Sequence, residues 1–427
     1  MACVNVFVGQ CGSQLGTEFL QVVASERDGG SQKNRRSIDG QFFRHGSDVP
    51  MARCVLIDME PKAIEECHRY AESKGLFRFS AKQTIVKNEG SANNWSFGFH
   101  VQGPSRHEEI RENIRLELEN ADGIGLVNVV HSVAGGTGSG VGSFVSQVIR
   151  DEHPRVLLHH TCVWPFSQGE MTTQWYNAVH AVQHINESAD SILLLSNDDI
   201  AGNAASNLKP SLSVINKTMS TQMASLFLPK TVSEVPRAAE LRKRSKLIEG
   251  GKLASPFVPA AFHRAVWEDV IESVALDPRR KFFEGYCSST SEGSASNRGE
   301  SWSSVLQDPL RWSRRRGSHS ALFVLRGPAA LQEGCVELQG ALHSTSLSAL
   351  RGVHVSPERF QTSDVSCAAF GSNAALARAF SRAAESAEEM YRSGAFVHHF
   401  SRFGTSKDDF EGAIASTFGV AASYSSS

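Results

Sequence analysis

The sequence predicts an α/β fold. A parallel sheet covered by helices on both faces leads through a long apolar core helix into a second α/β domain and then C-terminal helices. Three observations predict it. Strand runs alternate with amphipathic helical stripes across roughly the first 200 residues, the pattern of a sheet buried on both faces. Two of the strand-to-helix junctions are rich in glycine. Pro229 and Pro236 then bracket a change of character, after which strand signals resume in a second lobe.

Taken in order, Val4 to Val8 reads as a buried strand entering the turn Gly9-Gln10-Cys11-Gly12, and a helix follows with Leu15, Phe19 and Val22 or Val23 on one face. Cys54 to Ile57 is a second strand ending in Asp58. Ile110, Ile114 and Leu118 recur every four residues among Glu and Arg, which predicts an exposed amphipathic helix. Leu126 to Val130 is a strand, and Val141, Phe144, Val145, Val148 and Ile149 form a helical stripe that stops before Pro154. Val156 to Trp164 and Ile192 to Leu195 are strands with a helix between them near Trp175 to Ile185. Leu212, Ile215, Met219, Met223, Leu226 and Phe227 mark the core helix, with the methionines as core filler rather than ligands. In the second lobe, strands are expected near Ala321 to Leu325, Gly352 to Val355 and Cys367 to Phe370. A helix capped by Asn373 runs to Tyr391, and Asp408 to Ala421 is the last helix.

These readings divide the chain into a nucleotide-binding domain at 1–210, the core helix at 211–230, an intermediate domain at 231–371 and a C-terminal helical region at 372–427. A length of 427 residues accommodates roughly two to three domains and several cores. Ser288 to Ser304 is low in complexity and reads as a mobile loop. Arg311, Arg314, Arg315 and Arg316 follow it, either as a solvated basic flank or as a contact for an acidic partner surface.

Composition narrows the function classes. With 43 basic and 45 acidic residues the net charge is −2, so the whole-molecule field does not suggest a nucleic-acid binder. No apolar run approaches the roughly 18 residues that span a bilayer, so no membrane insertion is expected. Met1 to Asn5 shows no basic segment before its apolar run, against a signal peptide. None of the eight cysteines forms a C-x-x-C pair, which favours a reduced cytoplasmic chain over a zinc knuckle or redox dithiol.

The strongest chemical signal is Ser132-Val133-Ala134-Gly135-Gly136-Thr137-Gly138-Ser139-Gly140, set between a strand and a helix. Successive glycines let backbone N–H groups converge on a concavity, and the following helix N-terminus adds partial positive charge, which together make a phosphate cradle. Ser132, Thr137 and Ser139 carry hydroxyls that can donate to phosphate oxygens. The loop lacks the Lys of G-K-[ST], and its spacing misses G-x-G-x-x-G. Gly9 to Gly16 is a second such junction, and two neighbouring cradles suit one nucleotide with a polyphosphate. Asp58-Met59-Glu60-Pro61 ends the second strand with carboxylates that hold Mg²⁺ through water or simply cap the helix at Pro61.

In order and spacing, Gly9 to Gln14, Asp58 to Pro61, Ala92-Asn93-Asn94-Trp95 and Ala134 to Gly140 resemble the tubulin superfamily. The resemblance continues through Asn373 to Phe403 and Asp408 to Tyr424, and is weak only from about Pro236 to Arg316. Met51 to Lys62, Gly103 to Glu109 and Val420 to Tyr424 look most like the delta branch, with the zeta branch next.

The resemblance implies GTP and Mg²⁺ as cofactors. By position it sets Gln10 and Cys11 against phosphates and sugar, Glu60 on the Mg²⁺, and Asn93 before the γ-phosphate. Ser132, Gly135, Gly136, Thr137 and Gly138 would cradle phosphates, Glu170 would reach the ribose, and Asn197 and Asn216 would read guanine. An amide offers an acceptor and a donor matched to guanine, and adenine would leave partners unpaired. The chain departs from the pattern at Ala134, where a glycine is common, at Leu212, where an aromatic residue covers the base, and at Gln174, where an acidic ribose partner often sits.

Partners implied by the resemblance are alpha/beta tubulin or other superfamily subunits and centriole or basal-body proteins. The location would be cytoplasmic and cytoskeletal, at the base of a cilium or flagellum, with a role in triplet microtubules. Hydrolysis of GTP would need a longitudinal partner, and the catalytic residue is left open. Ala238 to Lys243 aligns with the loop that faces a neighbour's nucleotide, with Lys243 in place of an activating carboxylate and Glu240 nearby. The ending Tyr424 to Ser427 lacks the acidic tail of lattice tubulins, which predicts an end or junction subunit. Two rival readings stand beside this one: a dinucleotide-dependent oxidoreductase, whose fingerprint is missing, and a scaffold of the same fold that binds no nucleotide.

Overall fold

The computed structural model describes residues 1–44, 49–168, 171–202, 210–233, 266–275, 277–290, 302–345 and 349–425. Strands β1 (Ala2–Val8), β4 (Cys54–Asp58), β5 (Thr84–Val86), β6 (Ile124–Ser132), β7 (Leu158–Trp164) and β8 (Ser191–Ser196) form the expected parallel sheet in the order β5-β4-β1-β6-β7-β8. Alternation along β1 sends Cys3 and Phe7 into one apolar cluster and Val4, Val6 and Val8 into another, so the whole strand is buried. Between β1 and β4, a small ribbon pairs β2 (Phe43–Arg44) with β3 (Met51–Ala52).

The first face is covered by the helix Gly9–Gly29 and the core helix Leu212–Phe227, whose Phe19 and Phe227 rings meet at 5.5 Å. Met219 and Met223 are fully buried there, as core filler should be. The second face is covered by His107–Glu119 and Gly142–Glu152, which bring Ile110, Ile114, Val145 and Ile149 onto the valines of β1 and β6.

The sheet does not end at β8. Strand β10 (Phe282–Ser289) pairs with it in parallel through Phe282↔Ile192 and Phe283↔Leu193. Beyond it the order continues β13 (Ser366–Asn373), β11 (Ser318–Arg326), β12 (Leu350–Ser356) and β9 (Thr231–Ser233), giving eleven strands among the described residues. Pairing in this half is antiparallel except between β11 and β12. The helix Gln174–Ser188 lies between the sheet and the C-terminal helices Ala375–Arg392 and Lys407–Ser425. The N-cap of the first of these is Ala374 rather than the expected Asn373, which ends β13 one residue earlier and accepts the Ala375 N–H at 3.0 Å from there. Among the described residues, no helix is long and apolar enough to cross a membrane.

Two expectations change. Ser288 and Ser289 finish β10 rather than beginning a loop, and Trp302 opens a helix that runs to Arg316 with Pro309 inside it. Residues 291–301, the heart of the low-complexity stretch, and Ala238 to Lys243 lie outside the described residues. Arg311, Arg314 and Arg315 are exposed on that helix. Arg316 turns inward to pair with Asp199 at 2.6 Å and Glu284 at 3.0 Å, so it is not available to a partner. A buried carboxylate such as Glu284 requires such a neighbour.

Candidate functional site

The ends of β1, β4 and β6 deliver three turns to one edge of the sheet. At the first, Gly9 adopts φ +74°, and a Cβ there would stand 2.9 Å from the Gly138 nitrogen. Only glycine allows both the left-handed backbone and this approach. The first turn and the Ser132–Gly140 loop are therefore in direct contact, as one nucleotide spanning both requires. Gln10 is exposed at this edge and Cys11 is half-buried. Burial pushes the Cys11 thiol up to about 12, which keeps it protonated and unreactive at neutral pH.

The Ser132–Gly140 loop coils at once into a helix. Ser139 N–H already bonds Gly135 O at 3.0 Å, a π turn covers Thr137–Val141, and the α-helix continues to Glu152. The leading N–H groups of a helix have no intrahelical acceptor, so those of Gly136, Thr137 and Gly138 suit an anion. The hydroxyls divide. Ser132 Oγ accepts the Ala134 N–H at 3.2 Å and Thr137 Oγ1 lies 2.9 Å from Ser91 Oγ. Ser139 is buried and bonds Gly135 O, so its expected phosphate contact is not supported: its side chain points into the turn it stabilises.

Ala92 and Asn93 both take positive φ, 49° and 52°, in a turn that presents Asn93 to solvent beside the loop. Two successive non-glycine residues in that region store strain. Asn177 holds the turn in place: its Nδ2 donates to Asn93 O at 2.9 Å and to Ala134 O at 2.6 Å, and its Oδ1 accepts from Trp95 N at 2.8 Å. Sequence reasoning missed Asn177, whose only signal was a polar residue inside an otherwise apolar helical stripe. The close approach of Gly136, where a Cβ would meet Asn94 N at 2.5 Å, completes the interlock.

At the end of β4, Asp58 Oδ1 accepts the N–H groups of Met59 at 2.7 Å and Glu60 at 3.3 Å. Its other oxygen is buried without a hydrogen-bond partner. Burial raises the Asp58 carboxyl to about 6, opposed by those two backbone donors and reinforced by the charge of Glu60. Glu60 is exposed, with its carboxylate against Gly90. An orphaned buried carboxylate oxygen next to a second carboxylate fits a hydrated divalent cation. Asp58 therefore braces the turn before the helix, whose N-cap residue Glu60 makes no side-chain capping bond, and it keeps one oxygen without a hydrogen-bond partner.

Asn197 and Asn216 are half-buried, at the end of β8 and on the core helix, and their two helices pack together. Leu212 is 65% exposed one turn before Asn216. Gln174 is buried and donates to Phe166 O at 3.1 Å. Glu170 lies outside the described residues.

Comparison with known proteins adds independent findings. The GTPase domain of the Tubulin/FtsZ family matches residues 2–205. A tubulin delta chain from Macaca fascicularis is 27% identical over 461 aligned residues, covering 99% of this chain and 99% of its own length. The tubulin delta chain of Homo sapiens is 35% identical over 246 residues, 55% of this chain and 54% of its own. A tubulin epsilon chain from Mus musculus is 34% identical over 215 residues, 46% of this chain and 44% of its own.

Proposed function

Because the chain belongs to the tubulin superfamily, with its GTPase domain over residues 2–205, we propose that it binds GTP with Mg²⁺ and joins other tubulin subunits as a delta-type accessory subunit of the centriole or basal body. The observation that carries the nucleotide reading is the contact between the two glycine turns, Gly9 against Gly138, beside the unpartnered oxygen of Asp58. In this reading Gln10, Cys11, Ser132, Gly135, Gly136, Thr137 and Gly138 surround the phosphates. Asp58 and Glu60 hold the hydrated cation, Asn93 faces the terminal phosphate, Glu170 the ribose, and Asn197 and Asn216 the base. The basal-body role rests on the similarity to delta chains over nearly the full length.

Nucleotide extraction and titration of the purified chain test the first part. GTP is expected to bind well above ATP. Asn216→Asp, which replaces a donor by a second acceptor, should weaken GTP by roughly ten- to a hundredfold, the cost of about 1–3 kcal/mol for a mispaired buried group. Equal affinity for the two nucleotides, or none for either, overturns the reading. Leu212 in place of a base-covering aromatic residue, with Ala134 in place of a glycine, favours as second reading a tubulin-fold scaffold without nucleotide. A tagged chain confined to basal bodies supports the cellular role, and signal along whole microtubules refutes it.

A further inference from the structure

Directly beneath the glycine loop lies a closed group of three side chains. His131 is the penultimate residue of β6, and His160 and Cys162 stand on β7. The parallel register sets His131 opposite Cys162. His160 is two residues before Cys162, so the pleat brings all three to one face. All three are fully buried. His131 Nε2 lies 2.9 Å from His160 Nδ1 and 3.3 Å from Cys162 Sγ, and the three atoms are all within 4.8 Å of one another.

Hydrogen bonding alone serves this group poorly. A neutral imidazole has one N–H and one lone pair. If His131 Nε2 carries its proton, that single N–H is divided between His160 Nδ1 and the weak acceptor Cys162 Sγ, and the thiol proton finds no acceptor within the group. If His160 Nδ1 carries the proton instead, that N–H and the S–H compete for the single lone pair of His131 Nε2. A cation between the three atoms takes one lone pair from each and removes the conflict.

The surroundings fit the same use. His160 Nε2 lies 2.9 Å from Ser146 Oγ, which is itself 2.5 Å from Ser188 Oγ. Metal-holding histidines are oriented by such an outer contact on the second ring nitrogen. Gly142 of the overlying helix leaves room for the His131 ring, since a Cβ there would stand 3.1 Å from it.

We propose that His131 Nε2, His160 Nδ1 and Cys162 Sγ bind a single copper(I) ion. Two imidazoles and a thiolate form the trigonal set that suits copper, whereas structural zinc takes four ligands. Among the described residues, no fourth His, Cys, Asp or Glu joins the group. Charge points the same way. Thiolate and copper(I) sum to zero, while zinc would leave a net positive charge in a fully buried place, which is costly. On binding, two Cu–N bonds and one Cu–S bond form and the S–H bond breaks. The proton passes to water, and the metal keeps its oxidation state. The ion would sit one residue from Ser132 and hold the base of the phosphate loop.

The test uses the full chain, produced in cells grown with added copper(II), which the reducing cytosol converts to copper(I), and purified without chelator under nitrogen. Elemental mass spectrometry is expected to find about one copper per chain in the wild type and in Cys67→Ser, a buried thiol elsewhere. Cys162→Ser and His160→Gln are expected to hold at least about tenfold less. X-ray absorption at the copper edge of the wild type should fit two nitrogens and one sulfur, a readout that needs no variant to fold. A wild type without copper, copper retained in both ligand variants, a different ligand count, or zinc in place of copper each overturns the assignment. None of these outcomes depends on whether the chain binds GTP.

Discussion

Asn177 holds three polar backbone groups at once, and it reaches them across 84, 43 and 82 residues of sequence. Asn177→Ala would strand the Ala134 carbonyl and the Trp95 amide in a buried place, while the exposed Asn93 carbonyl keeps Thr173 Oγ1 at 3.3 Å. With each stranded group costing on the order of 1–3 kcal/mol, a loss of at least about 2 kcal/mol is expected. Thermal unfolding should fall accordingly, and nucleotide affinity should fall with it because Asn93 and Ala134 lose their common tether. A variant that melts like the wild type would show that the turn is held by other contacts. The glycine turns, Asp58 and Glu60 were legible in the sequence because each is a local pattern at a strand end. Asn177 was not, because its importance arises only when distant turns meet. Ser139 shows the converse: its residue type suggested a phosphate donor, but the tightness of the turn decided its direction.

At the scale of an element, the helix Gln174–Ser188 carries an acid-sensitive seat for the C-terminal helices. His180 stacks on Trp95 at 4.6 Å, and His184 lies 5.1 Å from Trp95 and 4.5 Å from Phe99. His100 meets the edge of Trp95 at 5.7 Å, and Asp409 of the last helix is the opposing charge. Burial lowers His180 from 6.5 to about 3 and His184 to about 4, with the neighbouring histidines adding to the effect and Asp409 opposing it. Between pH 6.5 and about 4 the unfolded chain therefore binds more protons than the folded one. The stability these groups support is complete above pH 6.5 and declines as the pH falls. For His184 the loss approaches roughly 3 kcal/mol. His184→Phe is expected to flatten the fall in urea midpoint between pH 7 and pH 5, and an unchanged slope would place the acid sensitivity elsewhere. Periodicity revealed this helix but not its histidines' task. It also missed β10, because Glu284 sits at an inward position that reads as polar, and Arg316 and Asn373, with the charge of Arg378, make it acceptable there.

Across the whole molecule, the two halves of the sheet meet where β8 pairs with β10, and the C-terminal helix locks the junction. Tyr424 is fully buried. Its Oη accepts from Phe282 N at 2.8 Å, and its O–H donates to Phe282 O at 2.9 Å. Tyr424→Phe leaves both backbone groups unpaired with almost no change in shape, so a cost of about 1–3 kcal/mol is expected. Hydrogen exchange at the Phe282 amide should quicken more than at β1, and equal protection in both proteins would show that the hydroxyl is dispensable. This continuity could not be read from periodicity, because no local pattern links Ile192 to Phe282. The register at the junction is short, Phe282 with Ile192 and Phe283 with Leu193. In mechanical language, the molecule is two stiff plates welded along a narrow seam. A twist imposed on one plate, for instance when the turns at its strand ends close on a ligand, reaches the other plate through this seam, through the apolar cluster that spans both halves and through the clasp of Tyr424.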